Sequence, residues 1–259
     1  VTPLFRKFRR WLVTAANEAL HGLPMLVVAP VMVDTDLLVT VLTIVLLVIS
    51  LGIHEAAHAW VAWKCGDSTA KDLGRITLNP VAHIDPVRTI LMPTLLYIST
   101  GHAFGGAKPV PVNFHRLHHP WRDMSLVAFA GPLSNFLQAI FFLAAWHFFV
   151  VTGLYNHAAA SESARTTDLL PIVLQTAFAM NVTLAVFNLV PIPPLDGSRI
   201  LAWVLPTSIR SAYTAIEPWG LFIVFFLLYQ SEEFRHALNT VENDIGSALM
   251  GLVTLGGRW

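Results

Sequence analysis

Leu47-Val48-Ile49-Ser50-Leu51-Gly52-Ile53-His54-Glu55-Ala56-Ala57-His58-Ala59-Trp60 decides how this chain folds and where its chemistry sits. It closes an apolar run that begins at Leu37 and carries no charge until Glu55. At 1.5 Å per residue, Leu37 to Trp63 makes a helix roughly 40 Å long, more than the roughly 30 Å hydrocarbon core of a bilayer. The run therefore predicts a membrane span, with His54 about 25 Å from its start. His54 and His58 are four residues apart and share one face of that helix. Histidines in this H-E-x-x-H spacing can hold one zinc ion, with Glu55 beside them as general base. Ionisable side chains inside a span are costly and mark function.

The rest of the composition agrees with a lipid environment. Of 259 residues, 55% are hydrophobic and 12% charged, and the mean hydropathy is +0.61. A soluble domain carries about 25% charged residues. The formal net charge is zero, which gives no argument for nucleic acid. Cys65 is the single cysteine, which excludes an intrachain disulfide and a cysteine-built zinc cluster. The expected class is an all-α polytopic membrane protein with about four to six transmembrane helices, and short re-entrant or extended segments near the active site.

Residues 1–35 form a basic N-terminal extension with Arg6, Lys7, Arg9 and Arg10, read as interfacial or as a weak extra span. Residues 36–230 form the core, and 231–259 a C-terminal tail. Within the core, spans are expected over 37–63, 124–151, 169–190 and 211–229. Arg88–Thr100 is apolar but only about 13 residues long, so it is expected to be re-entrant. Arg75–Leu78 alternates and is expected as a short strand. Lys108-Pro109-Val110-Pro111-Val112-Asn113 cannot be helical and is expected to be extended. His115, His118 and His119 are read as a solvated loop, with a second metal site as the alternative.

Two histidines leave a catalytic zinc one protein ligand short. Asp196 is the one acid between Asp168 and Glu217, and it follows a helix break made by Pro191, Pro193 and Pro194. Irregular backbone at membrane depth is tolerated where it lines a cavity. Asp196 is therefore the expected third ligand, the alternative being a cap on the following helix. Asn188 stands one turn before the break and is a candidate hydrogen-bond donor to an oxyanion, the alternative being a helix C-cap. Asn135 is polar within a span and needs a partner, and Gly131 and Ser134 are read as small residues that admit a neighbouring helix.

Three motifs in order, His54–His58 (H-E-x-x-H), Gly131–Asn135 (G-P-x-x-N) and Asn188–Gly197 (N-x-x-P-x-P-x-L-D-G), resemble the site-2 protease family of intramembrane zinc metalloproteases, peptidase family M50. The stretches Gly74–Pro80 and Gly105–Asn113 are similar to its compact prokaryotic branch, which has neither PDZ insertion nor CBS domains. The resemblance implies one zinc ion per chain held by His54, His58 and Asp196, with Glu55 as catalytic acid/base. It implies that Asn135 and Asn188 support the active site, substrate or oxyanion. It implies a transmembrane protein substrate, hydrolysed in or near its spans in the prokaryotic cell membrane.

The loop between the first and third apolar segments holds Lys64, Lys71, Arg75, Arg88, Lys108, Arg116 and Arg122, while the loop over 152–168 holds only Arg165. Basic residues collect on the cytoplasmic side, so the active site is expected toward the cytoplasm. A helical substrate must unwind before hydrolysis, and Arg75–Leu78 or Lys108–Asn113 is expected to offer it an edge. The alternative from another class is a membrane metal-ion transporter using His and Asp ligands. Transporters show internal repeats; no repeat is seen here, and transport gives no reason for Glu55. A third reading, a non-catalytic relative, is opposed by the intact His54, Glu55, His58 and Asp196. Nothing in the sequence sets an oligomeric state.

Overall fold

The structure is a computed structural model that describes residues 37–91, 106–154 and 169–253. Among the described residues there are eight α-helices and no strand. They are α1 (Leu37–Lys64), the single turn α2 (Thr69–Asp72), α3 (Pro120–Val151), α4 (Leu169–Asn188), α5 (Asp196–Val204), α6 (Thr207–Thr214), α7 (Glu217–Gln230) and α8 (Glu232–Val253). The expectation for residues 1–35 lies outside the described residues. Of the expected re-entrant segment only the part within Pro86–Leu91 is described, and it is a π-helical turn.

The three long spans begin and end where the sequence chemistry dictates. α1 runs without interruption because nothing between Leu37 and Ile53 is charged, and it stops at Gly66, whose φ of 108° ends a helix. α3 opens on Pro120, whose fixed φ suits the first turn. α4 stops at Asn188, ahead of three prolines that cannot continue it. Helices α1, α3 and α4 are long and apolar enough to cross a membrane. A fourth crossing is possible through α6 and α7 together, which meet at 71°. The described residues thus supply three or four crossings of the expected four to six, and the chain is an integral membrane protein.

Two expectations need correction. The span foreseen as one helix over 211–229 is broken at Ala215–Ile216. Pro218 occupies the first turn of α7 and has no N–H to give back to α6, and Glu217 is drawn into an ion pair with Arg199 of α5. The strand foreseen at Arg75–Leu78 is not formed. The Arg75 amide donates to Ala70 O within α2, the Arg75 guanidinium turns to Ala82 O, and the Thr77 carbonyl faces the His83 ring at 3.0 Å. Local side-chain bonds have replaced a ladder.

α3 is the centre of the molecule and packs against α1, α4 and α5, while α1 also touches α4. The apolar core joins Ala139 of α3 with Val182, Val186 and Phe187 of α4, Val224 and Leu228 of α7, and Leu238 of α8. α8 lies on α4, where Thr183 donates to the buried Glu242 carboxyl at 3.1 Å. Burial pushes that carboxyl up to about 7. The opposite faces are apolar as well. Val41, Ile44, Val45 and Ile49 of α1, and Leu126, Phe129, Leu133, Leu137 and Phe141 of α3, are all exposed. Those of α3 recur three to four residues apart and form one stripe along the helix. A contiguous surface of this kind needs lipid.

The end of α1 carries the marks of a membrane boundary. The Lys64 ammonium lies 4.3 Å from the centre of the Trp63 ring, and that of Lys71 lies 4.1 Å from it. Trp and Lys concentrate where the bilayer meets water. His58 and His54 stand six and ten residues before Lys64, so they lie roughly 9–15 Å below that boundary.

Candidate metal centre

α1 presents His54 and His58 on one face, and α5 brings Asp196 to them across α3. His54 and His58 are buried, with 4% and 8% of their surface exposed. Their Nε2 atoms are 2.9 Å apart, and each lies 3.3 Å from Asp196 Oδ2. Asp196 is the first residue of α5, and Leu195 holds the cap position. Its carboxylate gives no capping bond to its helix, because Oδ2 is aimed at the two rings. The prolines and Gly197 make this possible. A Cβ at 197 would meet Leu189 O at 2.1 Å, so only glycine lets α5 start so close to the end of α4.

The protons at this centre can be assigned from the atoms around it. Asn181 Nδ2 lies 2.8 Å from the Ala177 carbonyl and 3.0 Å from Ser50 Oγ. A carbonyl only accepts, so the Asn181 amide has its nitrogen on that side. Its Oδ1 then accepts from Asn135 Nδ2 at 2.8 Å. Asn135 Oδ1 in turn faces His54 Nδ1 at 2.6 Å, which must carry the ring hydrogen. His58 Nδ1 likewise donates to Val127 O at 2.7 Å. In its neutral form, the state that binds a metal, each ring therefore turns a lone pair inward at Nε2.

In that neutral form three acceptors converge with no proton between them: two Nε2 lone pairs and a carboxylate oxygen that has no hydrogen-bond donor. One extra proton could bridge a single pair of them, whereas one cation satisfies all three. Zinc–ligand bonds of about 2.0–2.1 Å at tetrahedral angles place ligand atoms about 3.3 Å apart. The observed 2.9, 3.3 and 3.3 Å fit that size. Nitrogen and carboxylate donors, three in number, are also the set that leaves a catalytic zinc one open position. Among the described residues this is the one cluster of histidine, cysteine, aspartate or glutamate that meets a metal-binding geometry. The loop histidines 115, 118 and 119 form no such cluster; the His118 amide instead bonds to Cys65 O, tying the loop to the end of α1.

Two further groups shape the centre. A Cβ at Gly131 would lie 2.4 Å from His58 Nε2 and 2.5 Å from His54 Nε2, so this glycine lets α3 approach the ligand atoms themselves. Its role is more specific than general helix packing. Glu55 is half-buried and accepts the Val110 amide on Oε2 at 2.9 Å. Asn188 is the last residue of α4. Its amide donates to Leu184 O, one turn back in α4, at 2.9 Å. Asn135 is wholly buried and is bonded to a ring. Asn181 and Ser50, also buried, were not singled out from the sequence. A polar residue in an apolar span was the available signal.

A model of peptidase family M50 matches residues 42–230. The protein named "Putative zinc metalloprotease YwhC" from Bacillus subtilis (strain 168) is 39% identical over 186 residues, covering 72% of this chain and 78% of that protein. The protein named "Putative zinc metalloprotease Rip2" from Mycolicibacterium smegmatis (strain ATCC 700084 / mc(2)155) is 30% identical over 221 residues, covering 83% of this chain and 76% of that protein. No solved structure matches the chain.

Two substitutions test the proton assignment. Asn135→Ala leaves the His54 ring free to turn, and zinc affinity should fall about 10–100-fold, the usual cost of losing a group that orients a metal ligand. Gly131→Ala should abolish stoichiometric zinc, and Asn188→Ala should leave it intact, as read by metal analysis after dialysis against a graded chelator.

Proposed function

The chain belongs to peptidase family M50 and is an intramembrane zinc metalloprotease, and we propose the roles of its side chains and the kind of protein it cuts. His54 Nε2, His58 Nε2 and Asp196 Oδ2 would hold the zinc. When bound, zinc supplies a Lewis acid that polarises the scissile carbonyl and lowers the pKa of water to about 7. Glu55 takes the proton from the attacking water as its oxygen bonds to the carbonyl carbon. As the C–N bond breaks, Glu55 passes that proton to the leaving amine nitrogen. Asn135 and Asn181 hold the His54 ring with its lone pair inward. We assign Asn188 to the end of α4, where its amide bonds to Leu184 O, rather than to the oxyanion. The observation that carries this reading is the convergence of three proton-free acceptors next to Glu55, at membrane depth.

The substrate we propose is a protein whose own transmembrane segment reaches the site from the bilayer. The exposed apolar faces of α1 and α3 leave the protease in lipid, so a membrane-embedded peptide need not enter water to reach it. We place the site in the cytoplasmic half of the membrane. The support is the set of five basic residues between α1 and α3, with Lys64 and Arg122 at the ends of those helices, against Arg165 alone between α3 and α4. The transporter alternative has no supporting observation: it requires neither Glu55 nor membership of a peptidase family.

Purified wild type and Glu55→Gln should both carry one zinc, and only wild type should cleave a single-span substrate in detergent or liposomes. Asp196→Asn should lose zinc. Equal cleavage by Glu55→Gln contradicts the assignment of the base. For orientation, the single cysteine is a native probe, because Cys65 is partly exposed at the end of α1. A membrane-impermeant maleimide should label it in inverted vesicles and spare it in intact cells; the reverse pattern would place the site on the outer side.

A further inference from the structure

Glu55 is held by a strap that lies outside the bundle of long helices. Residues 106–113 form neither helix nor strand and pass beside the second half of α1. The strap is fastened on both sides of its middle. The Lys108 amide donates to His83 O at 2.7 Å, and the Asn113 amide donates to Asp67 Oδ2 at 2.5 Å. Asp67 is itself wholly buried and is fixed by the amide and hydroxyl of Thr69. Between these anchors stand Pro109, Val110, Pro111 and Val112. The prolines have no N–H, so over residues 109–111 the one backbone donor belongs to Val110. Pro111 also confines Val110 to extended conformations. That single amide meets Glu55 Oε2 at 2.9 Å.

We propose that the Val110 amide is the positioning group for Glu55 during hydrolysis. A glutamate on a helix has three rotatable bonds and several staggered states. Only a few of them place a carboxylate oxygen beside water at the metal centre. A charge-assisted bond from an anchored amide to Oε2 selects among them and leaves Oε1 to take and return the proton. The flanking prolines stiffen the backbone that carries this donor and remove any adjacent N–H that could compete for the same oxygen. The arrangement also changes one expectation for the strap. The amides of Lys108 and Val110 share one edge of an extended chain, and both are already engaged. The other edge, where an unwound substrate could pair, carries Pro109 and Pro111. Residues 109–111 therefore have no free backbone donor to offer such a substrate.

The inference rests on Glu55 being the base, and it is tested by changing one hydrogen. Val110→Pro removes the amide hydrogen and keeps an extended backbone; Val110→Ala keeps the hydrogen and removes the side chain. In Val110→Pro, kcat should fall at least about tenfold, the scale of losing a hydrogen bond to a charged group, with KM and zinc content unchanged. Val110→Ala should stay within about twofold of wild type. A rise or no change in kcat for Val110→Pro would overturn the proposal, a rise meaning that the strap restrains the enzyme. An equal fall in Val110→Ala would also overturn it, because packing would then be the cause. Amide exchange gives a readout that survives a misfolded proline variant. The Val110 amide should exchange slowly in wild type and faster in Glu55→Leu, and equal rates would contradict the contact. Exchange does not depend on turnover, so a zinc-loaded wild type that fails to cleave any membrane substrate would count against the proposed function and leave the Val110 contact to be judged separately.

Discussion

Two imidazole nitrogens and one carboxylate oxygen face each other within 3.3 Å, deep in a bundle that lies in lipid, and with both rings neutral none of the three has a proton to give. In a medium of low dielectric, such a cluster is unfavourable by itself. A cation turns the same three lone pairs into ligands. The surrounding fold is arranged around this need. α1 supplies the rings in one helical face, a proline-broken turn swings Asp196 in from α5, and glycine at 131 lets α3 close over the ring nitrogens.

The buried amides extend that constraint outward. An Ala177 carbonyl in α4 sets the orientation of Asn181, which sets Asn135, which sets the tautomer of His54. Three helices are thus joined by directional bonds in a region where apolar packing alone specifies little, since lipid is as apolar as the side chains. A second constraint reaches Glu55 from outside the helices. The strap between Lys108 and Asn113 is bound to the loop before it and to the buried Asp67. Binding of metal and placement of the base are therefore governed by different parts of the chain: the first by α3 and α4, the second by a proline-stiffened connection.

Much of this was legible in the sequence, for identifiable reasons. An uncharged run of span length shows directly as a helix, and α1, α3 and α4 fall within a few residues of their expected limits. Asp196 could be singled out because no other acid lies between residues 168 and 217. The rest depends on rotation and contact. In a helix that is apolar on every side, periodicity does not reveal which face meets a neighbour. Asn181 could be seen as polar, but not as the partner of Asn135. Gly131 could be read as a small residue, but not as the one beneath two ring nitrogens. The bend between α6 and α7 follows from Pro218 together with the Arg199–Glu217 pair, and only the proline is a local signal. The Val110 contact joins residues 55 apart, and composition carries no trace of it.

The most direct test of the central claim is X-ray absorption at the zinc edge of the purified protein in lipid. Zinc held by His54, His58 and Asp196 should show nitrogen and oxygen neighbours only, with multiple-scattering features of two imidazoles, one carboxylate and one exchangeable oxygen, at one zinc per chain. A sulfur neighbour, a third imidazole, or a six-oxygen shell without imidazole would contradict that ligand set.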